Sequence, residues 1–169
     1  MCHINSVRYI AVAVLALWLS ACGYHLRGTQ DADVSLAFAS VYIVGGSQDS
    51  AFLARFKQRL HQLGISEADS QESADLVVLI DEINQSRRVL SVDAGARVSE
   101  FELYYLVGYR LRQGEQTSQP RQASSRRDIT FDQNRVLAKA EEESRFYEEM
   151  RADAINSILR AMQRYRPGG

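Results

Sequence analysis

Apolar and polar positions divide the chain into an uncharged leader and a longer stretch of alternating elements. Tyr9 to Leu19 is apolar throughout, with Arg8 just before it and the small residues Ser20 and Ala21 just after. About 20 apolar residues are needed to span a bilayer. A shorter run with these flanks reads as the core of an export signal, removed after residue 21. Gly23 to Ala37 shows no clear period and reads as a tether. From Phe38 the periodic elements begin. Phe38 to Val44 is β-branched and aromatic, and Gly45-Gly46 ends it, which predicts a first strand. Ser47 to Ser50 offers N-cap residues. Phe52, Leu53, Phe56, Leu60 and Leu63 follow at helical spacing, and Gly64 is a C-terminal stop. Leu76 to Ile80 is a continuous apolar run, as in an interior strand buried on both faces. The chain continues extended through Ile83 to Val92, with a turn near Asp93-Ala94-Gly95.

The strictest alternation runs from Glu100 to Arg112. Phe101, Leu103, Tyr105, Val107, Tyr109 and Leu111 take the odd positions, while Glu100, Glu102, Arg110 and Arg112 fall among the even ones. Such a strand lays one face on a core and turns the other to solvent or a partner. Gln122 to Phe131 predicts a last strand, with Ile129 and Phe131 on one face. Asn134 to Tyr165 predicts a long helix, its buried stripe traced by Leu137, Ala140, Ser144, Tyr147, Arg151, Ala154, Ile158, Met162 and Tyr165. Glutamates near its start and middle and arginines near its end suit the helix dipole. The strand–helix–strand beginning implies a right-handed crossover and a parallel pair. The expected fold is α+β, in the order β-α-β-β-β-α: two helices packed on one face of a four-stranded mixed sheet, forming one domain over residues 38–166.

Composition narrows the function. Of 20 Lys and Arg only Arg8 lies in residues 1–21, so 19 stand against 21 acidic residues after the signal, and no nucleic-acid partner is expected. Of the two cysteines, Cys2 leaves with the signal, so Cys22 has no disulfide partner. His25 and His61 have no His or Cys at ligand spacing, so no metal site is expected. Gly45-Gly46-Ser47 lacks the glycine spacing and the lysine of a nucleotide loop and reads as a tight turn. The carboxylates of Glu141 to Glu149 fall in helical rows like a solvated face. No nucleophile–base pair or paired acids emerge, so no enzyme is expected.

One basic set remains. Arg87 and Arg88 precede the hairpin turn, Arg97 follows it, Arg110 and Arg112 lie on the next strand, and Arg121, Arg126 and Arg127 on the last. Adjacent strands can gather several of these into a patch suited to phosphate or sugar-acid groups. The competing reading is a charged outer sheet face balanced by Glu100 and Glu102.

Leu19-Ser20-Ala21-Cys22 resembles the bacterial lipobox. The resemblance implies cleavage before Cys22 and acylation of its sulfur and new amino group, a covalent lipid with no further cofactor. Each buried methylene contributes about 0.8 kcal/mol, so one chain holds marginally and two or more hold durably. Gly23 in place of Asp after the cysteine implies the periplasmic side of the outer membrane.

Cys22-Gly23-Tyr24-His25-Leu26-Arg27-Gly28 resembles the mature start of the LPS-assembly lipoprotein LptE family. Ser91 to Leu103 is similar to that family's hairpin and third strand, and the order of elements matches across the mature chain. The resemblance implies a non-enzymatic plug in the lumen of the outer-membrane β-barrel LptD, one that helps the barrel fold, binds lipopolysaccharide and assists its insertion into the outer leaflet. In that family a basic residue near the hairpin tip and a lysine early in the last helix are implicated in lipopolysaccharide binding. Lys139 matches the second. Asp93, Ala94 and Gly95 occupy the tip itself, so Arg97, with Arg87 and Arg88, would stand in for the first. The alternative is another outer-membrane lipoprotein adaptor, such as an auxiliary subunit of a lipid transporter.

Overall fold

The computed structural model of the chain describes residues 37–131 and 136–166. The expected signal, the tether up to residue 36 and Cys22 lie outside these residues. In chain order the elements are β1 (Ser40–Gly45), α1 (Ser50–Gln62), β2 (Ser66–Glu67), β3 (Leu76–Val92), β4 (Val98–Gln113), β5 (Gln116–Thr117), β6 (Arg121–Thr130) and α2 (Val136–Arg164). The sheet runs β2-β1-β3-β4, and both β5 and β6 pair with the far side of β4. β1 is parallel to β2 and β3, and the other pairings are antiparallel.

The fold is the expected α+β arrangement, with four long strands and two short additions. β2 forms because the polar connection after α1 takes up the free edge of β1: Ser66 N–H donates to Ala39 O and Ala68 N–H to Val41 O, both at 3.0 Å. β5 is the tight end of the β4 hairpin, where Gln113 faces Gln116. Two-residue strands leave no period in the sequence, which is why the expectation stopped at four.

One core joins both helices to one sheet face. The odd positions Leu103, Tyr105, Val107, Tyr109 and Leu111 of β4 pack with Leu76, Val78 and Ile80 of β3, with Phe52, Phe56 and Leu60 of α1, and with Met150, Ile155, Ile158, Leu159 and Met162 of α2. Val77, between β1 and β4, is buried on the other face, as a central strand requires. The stripe expected on the long helix holds from Tyr147 onward. It fails at the start: Leu137 is 84% exposed, and Ala140 and Ser144 are exposed too. Helical period identifies the face a helix can bury, not where the surface beneath it ends.

One carboxylate ties the layers together. Asp49 is the N-cap of α1, and its Oδ1 accepts the Phe52 N–H at 3.0 Å. Its Oδ2 accepts the Tyr105 hydroxyl of β4 at 2.9 Å and Arg151 Nε of α2 at 2.8 Å. Arg151 also donates to Glu148 at 2.9 Å and to Gln85 of β3 at 3.3 Å, and Glu148 takes Arg55 of α1 at 2.7 Å. The Asp49 and Arg151 side chains are only 10% and 13% exposed. Burial alone would raise the Asp49 carboxyl, but the bonds from Arg151, Phe52 and Tyr105, with the Arg151 charge, hold it below its ordinary value. Burial pushes the Tyr105 phenol far up, and the Asp49 carboxylate adds to the shift.

The turn between β1 and α1 depends on backbone freedom. Gly45 has φ +83° and lies against Ile80 so closely that a Cβ would overlap the Ile80 carbonyl oxygen. Gly64, after α1, has φ +75° but open space around it.

Gly45→Ala is therefore expected to lower the unfolding free energy by about 2–4 kcal/mol and Gly64→Ala by only about 1 kcal/mol, in urea titrations. For Asp49, whose folded value is depressed, the stabilising contribution is complete above the unfolded value of about 3.9 and fades as pH falls below it. Asp49→Asn should flatten that part of the acid limb of stability against pH. Arg151→Met, which strands the carboxylate, should cost about 2–4 kcal/mol at neutral pH.

Candidate functional site

β1 ends at Gly45, opposite Ile80, while β3 runs on to Val92. Among the described residues, the last twelve residues of β3, roughly 40 Å of strand, therefore have no strand on that side. With β4 they form a long hairpin arm, backed across β4 by β6. Its turn is held by Asp93, whose N–H donates to Arg97 O at 2.8 Å. Asp93 Oδ1 accepts the N–H groups of Gly95 and Arg97 at 2.8 and 2.9 Å. Ala96 takes φ +58° to close the turn. The chain leaves β6 beside the arm, where Phe131 N–H donates to Ser99 O at 2.8 Å, and α2 then packs back along it.

The arm brings some of the expected binding residues together and separates others. Arg87 and Arg88, adjacent in sequence, take opposite sheet faces. Arg87 lies across from Leu103 on the helix side, pairs with Glu143 of α2 at 2.9 Å and sits 4.5 Å from the centre of the Phe101 ring. Arg88 lies across from Glu102 on the other face and pairs with it at 2.6 Å. Lys139, at the end of the first turn of α2, pairs with Glu142 at 2.6 Å. It lies one helical turn before Glu143, about 6 Å along the axis from the residue that holds Arg87. Arg97 stands exposed at the turn and makes no ion pair among the described residues.

The wider basic patch is divided the same way. Glu102 is 5% exposed and sits between Arg88 and Arg126, the latter at 3.5 Å. Arg110 makes a two-pronged pair with Asp81, which stands at a bulge in β3, and this raises the arginine's already high proton affinity. Arg127 pairs with Asp153 at 2.7 Å, and Arg112 donates to Gln71. The outer face is thus largely balanced: Glu102 plays the expected part, while Glu100 accepts from Ser91 instead.

The apolar part of the arm was missed. Val89, Leu90 and Val92 are 52%, 44% and 56% exposed and follow Arg87 and Arg88 along β3, and Leu137 is exposed at the helix start. The signal was present in Arg87-Arg88-Val89-Leu90-Ser91-Val92, where aliphatic and charged residues adjoin without the alternation of a half-buried strand. Among the described residues no helix is long and apolar enough to cross a membrane, and no three His, Cys, Asp or Glu are grouped to hold a metal.

A family model described as LptE, lipopolysaccharide-assembly, matches residues 38–162, which takes in the sheet, both helices and the arm. The chain belongs to the LptE family. Its part is therefore in lipopolysaccharide assembly, the work of a non-enzymatic family. The solved structures agree. An uncharacterized lipoprotein B from Nitrosomonas europaea is 29% identical with a TM-score of 0.67, covering 82% of this chain and 88% of its own. The rare lipoprotein B from Shewanella oneidensis is 25% identical with a TM-score of 0.65, covering 73% and 92%. A minor lipoprotein from Acinetobacter baumannii, 17% identical with a TM-score of 0.63 over 76% and 92%, shares the fold. Among curated proteins none matches the chain by sequence.

The two acids beside the LptE arm should differ in worth. Glu102→Gln leaves Arg88 and Arg126 facing a neutral group at a buried position and should cost about 1–2 kcal/mol of stability. Glu143→Gln, at a surface pair, should cost less than about 1 kcal/mol. Urea midpoints at neutral pH compare them directly.

Proposed function

We propose that this LptE-family chain is an outer-membrane lipoprotein, acylated on Cys22, that sits on the periplasmic side as a plug in the lumen of an LptD-type β-barrel. In that position it binds lipopolysaccharide and helps insert it into the outer leaflet. The observation that carries the reading is the hairpin arm, where exposed aliphatic side chains and cations occupy one projecting element. Lipopolysaccharide has the matching chemistry, with acyl chains beside phosphates and acidic sugars. Arg97 and Lys139 are the residues assigned to the anionic groups, with Arg87 and Arg88 as flanking cations. A barrel lumen is polar, and the balanced outer face of the sheet suits such surroundings. Acyl chains on Cys22 would fix the depth of the plug through the tether.

Two measurements test this. Affinity purification of the tagged protein from outer membranes should bring down a large β-barrel in equal amount; recovery of the lipoprotein alone, or with an inner-membrane transporter, overturns the plug assignment. The double variant Arg97→Glu/Lys139→Glu should bind lipopolysaccharide at least about tenfold more weakly, since each charge-assisted contact is worth about 1.5–3 kcal/mol. Unchanged binding removes these residues from the site.

A further inference from the structure

The opposite end of the sheet carries a second cationic feature. An open cleft of about 500 Å³ lies where β5, the start of β6 and the end of α2 meet, lined by Gln116, Thr117, Ser118, Gln119, Arg121 and the run Arg164-Tyr165-Arg166. Arg121 and Thr130 end β6, so the cleft lies at the base of the arm, roughly 30 Å of strand from the hairpin turn at its tip. Its walls are fixed. The Tyr165 hydroxyl donates to Gln116 O at 3.1 Å, pinning the helix end to β5. Ser118 Oγ accepts the Leu111 N–H at 3.0 Å and donates to Gln119 O at 2.9 Å.

Three arginines line this cleft and, among the described residues, no carboxylate does. A cation at a helix C-terminus has an ordinary explanation in the dipole and the unpaired carbonyls. Arg166 fits it, donating to Gln163 O at 3.1 Å and to Tyr165 O at 2.9 Å. Arg121 and Arg164 do not. Neither makes a side-chain hydrogen bond or ion pair among the described residues, and Arg121 is not on the helix. They nevertheless converge. Arg121 faces Tyr109 across the β4–β6 ladder, and the buried Tyr109 phenol, raised by burial, feels the opposing charge of both guanidiniums. Two like charges held together with no acid among the described lining residues, beside the side chains of Thr117 and Gln119, are arranged for an external anion.

We propose that this cleft is a binding site for a compact phosphate-class oxyanion, held between the Arg121 and Arg164 guanidiniums. The inference is independent of the arm and of the lipopolysaccharide reading. Free phosphate and a phospholipid headgroup present the same group, and the test separates them.

The full chain in non-ionic detergent micelles is followed through its arginine Nε–Hε NMR signals. It is titrated with inorganic phosphate, with phosphatidylglycerol doped into the micelles, and with sodium chloride at equal ionic strength. Arg145 and Arg160, exposed on the same helix, serve as internal controls. The Arg121 and Arg164 signals are expected to shift together and saturate while the controls stay still, and Arg121→Gln and Arg164→Gln should each weaken binding at least about tenfold. A response to phosphate alone identifies a soluble oxyanion, a response to the lipid alone a headgroup, and a response to both the shared phosphate group. The proposal is overturned if neither titrant gives a saturable joint shift, if chloride reproduces it, or if the controls move equally. The wild-type titration decides this even if a variant fails to fold.

Discussion

The Asp49 carboxylate is the point on which the two helices and the sheet agree. It starts α1 by capping Phe52 N–H, fixes the register of β4 through Tyr105, and orients α2 through Arg151. A half-satisfied carboxylate at this depth would weaken the fold, and a fully satisfied one makes it specific. The bond from Arg151 contributes most to this balance, and the Tyr105 phenol, within the core face, reaches Asp49 from the sheet. Gly45 and Gly46, both at positive φ, supply the sharp turn that delivers the cap to that place.

The lock also divides the molecule. On the α1 side of it, both helices and the sheet surround Phe52, Tyr105 and Met150, all buried. On the other side β3 and β4 continue as an arm, and the start of α2 overhangs with Leu137 in the open. Tyr147, donating to Ser86 O at 3.1 Å, is among the last residues that tie helix to arm, and the Arg87–Glu143 pair lies one turn beyond. Strands without a covering layer expose aliphatic residues on an element still paired along β4 except at its bulges, one of them at Leu90, which gives a surface with shape but without the burial that would consume it.

Much of this was legible because the long elements repeat. The odd positions of β4 announced the core face, Gly64 the end of α1, and Asp49 lay within the stretch that offered caps. The grouping of residues across elements was not legible. Arg151 stood in an apolar stripe, and only the arrival of Asp49 from a residue 102 positions earlier explains a charge there. The eight arginines of the strands formed one set in sequence, whereas the pleat sends Arg87 and Arg88 to opposite faces and gives them different acids. The exposed Leu137 obeys the helical period and breaks only the unstated condition that a surface lies beneath it.

The pairing of the arm's cations bears on what the arm can recognise. Arg87–Glu143 and Lys139–Glu142 are partly exposed pairs, and such pairs are worth about 0–1 kcal/mol. An anion that displaces Glu142 or Glu143 therefore meets little resistance. Arg88 is different, because its acid is the buried Glu102, which a ligand could displace only by leaving a buried carboxylate with the longer 3.5 Å pair to Arg126. The helix side of the arm is accordingly the side whose paired acids an external anion can replace. Charge exchange of this kind sets orientation and selectivity but yields little net affinity. On the proposed lipopolysaccharide reading, affinity would then come mainly from Val89, Leu90, Val92 and Leu137, the large apolar side chains that stay exposed.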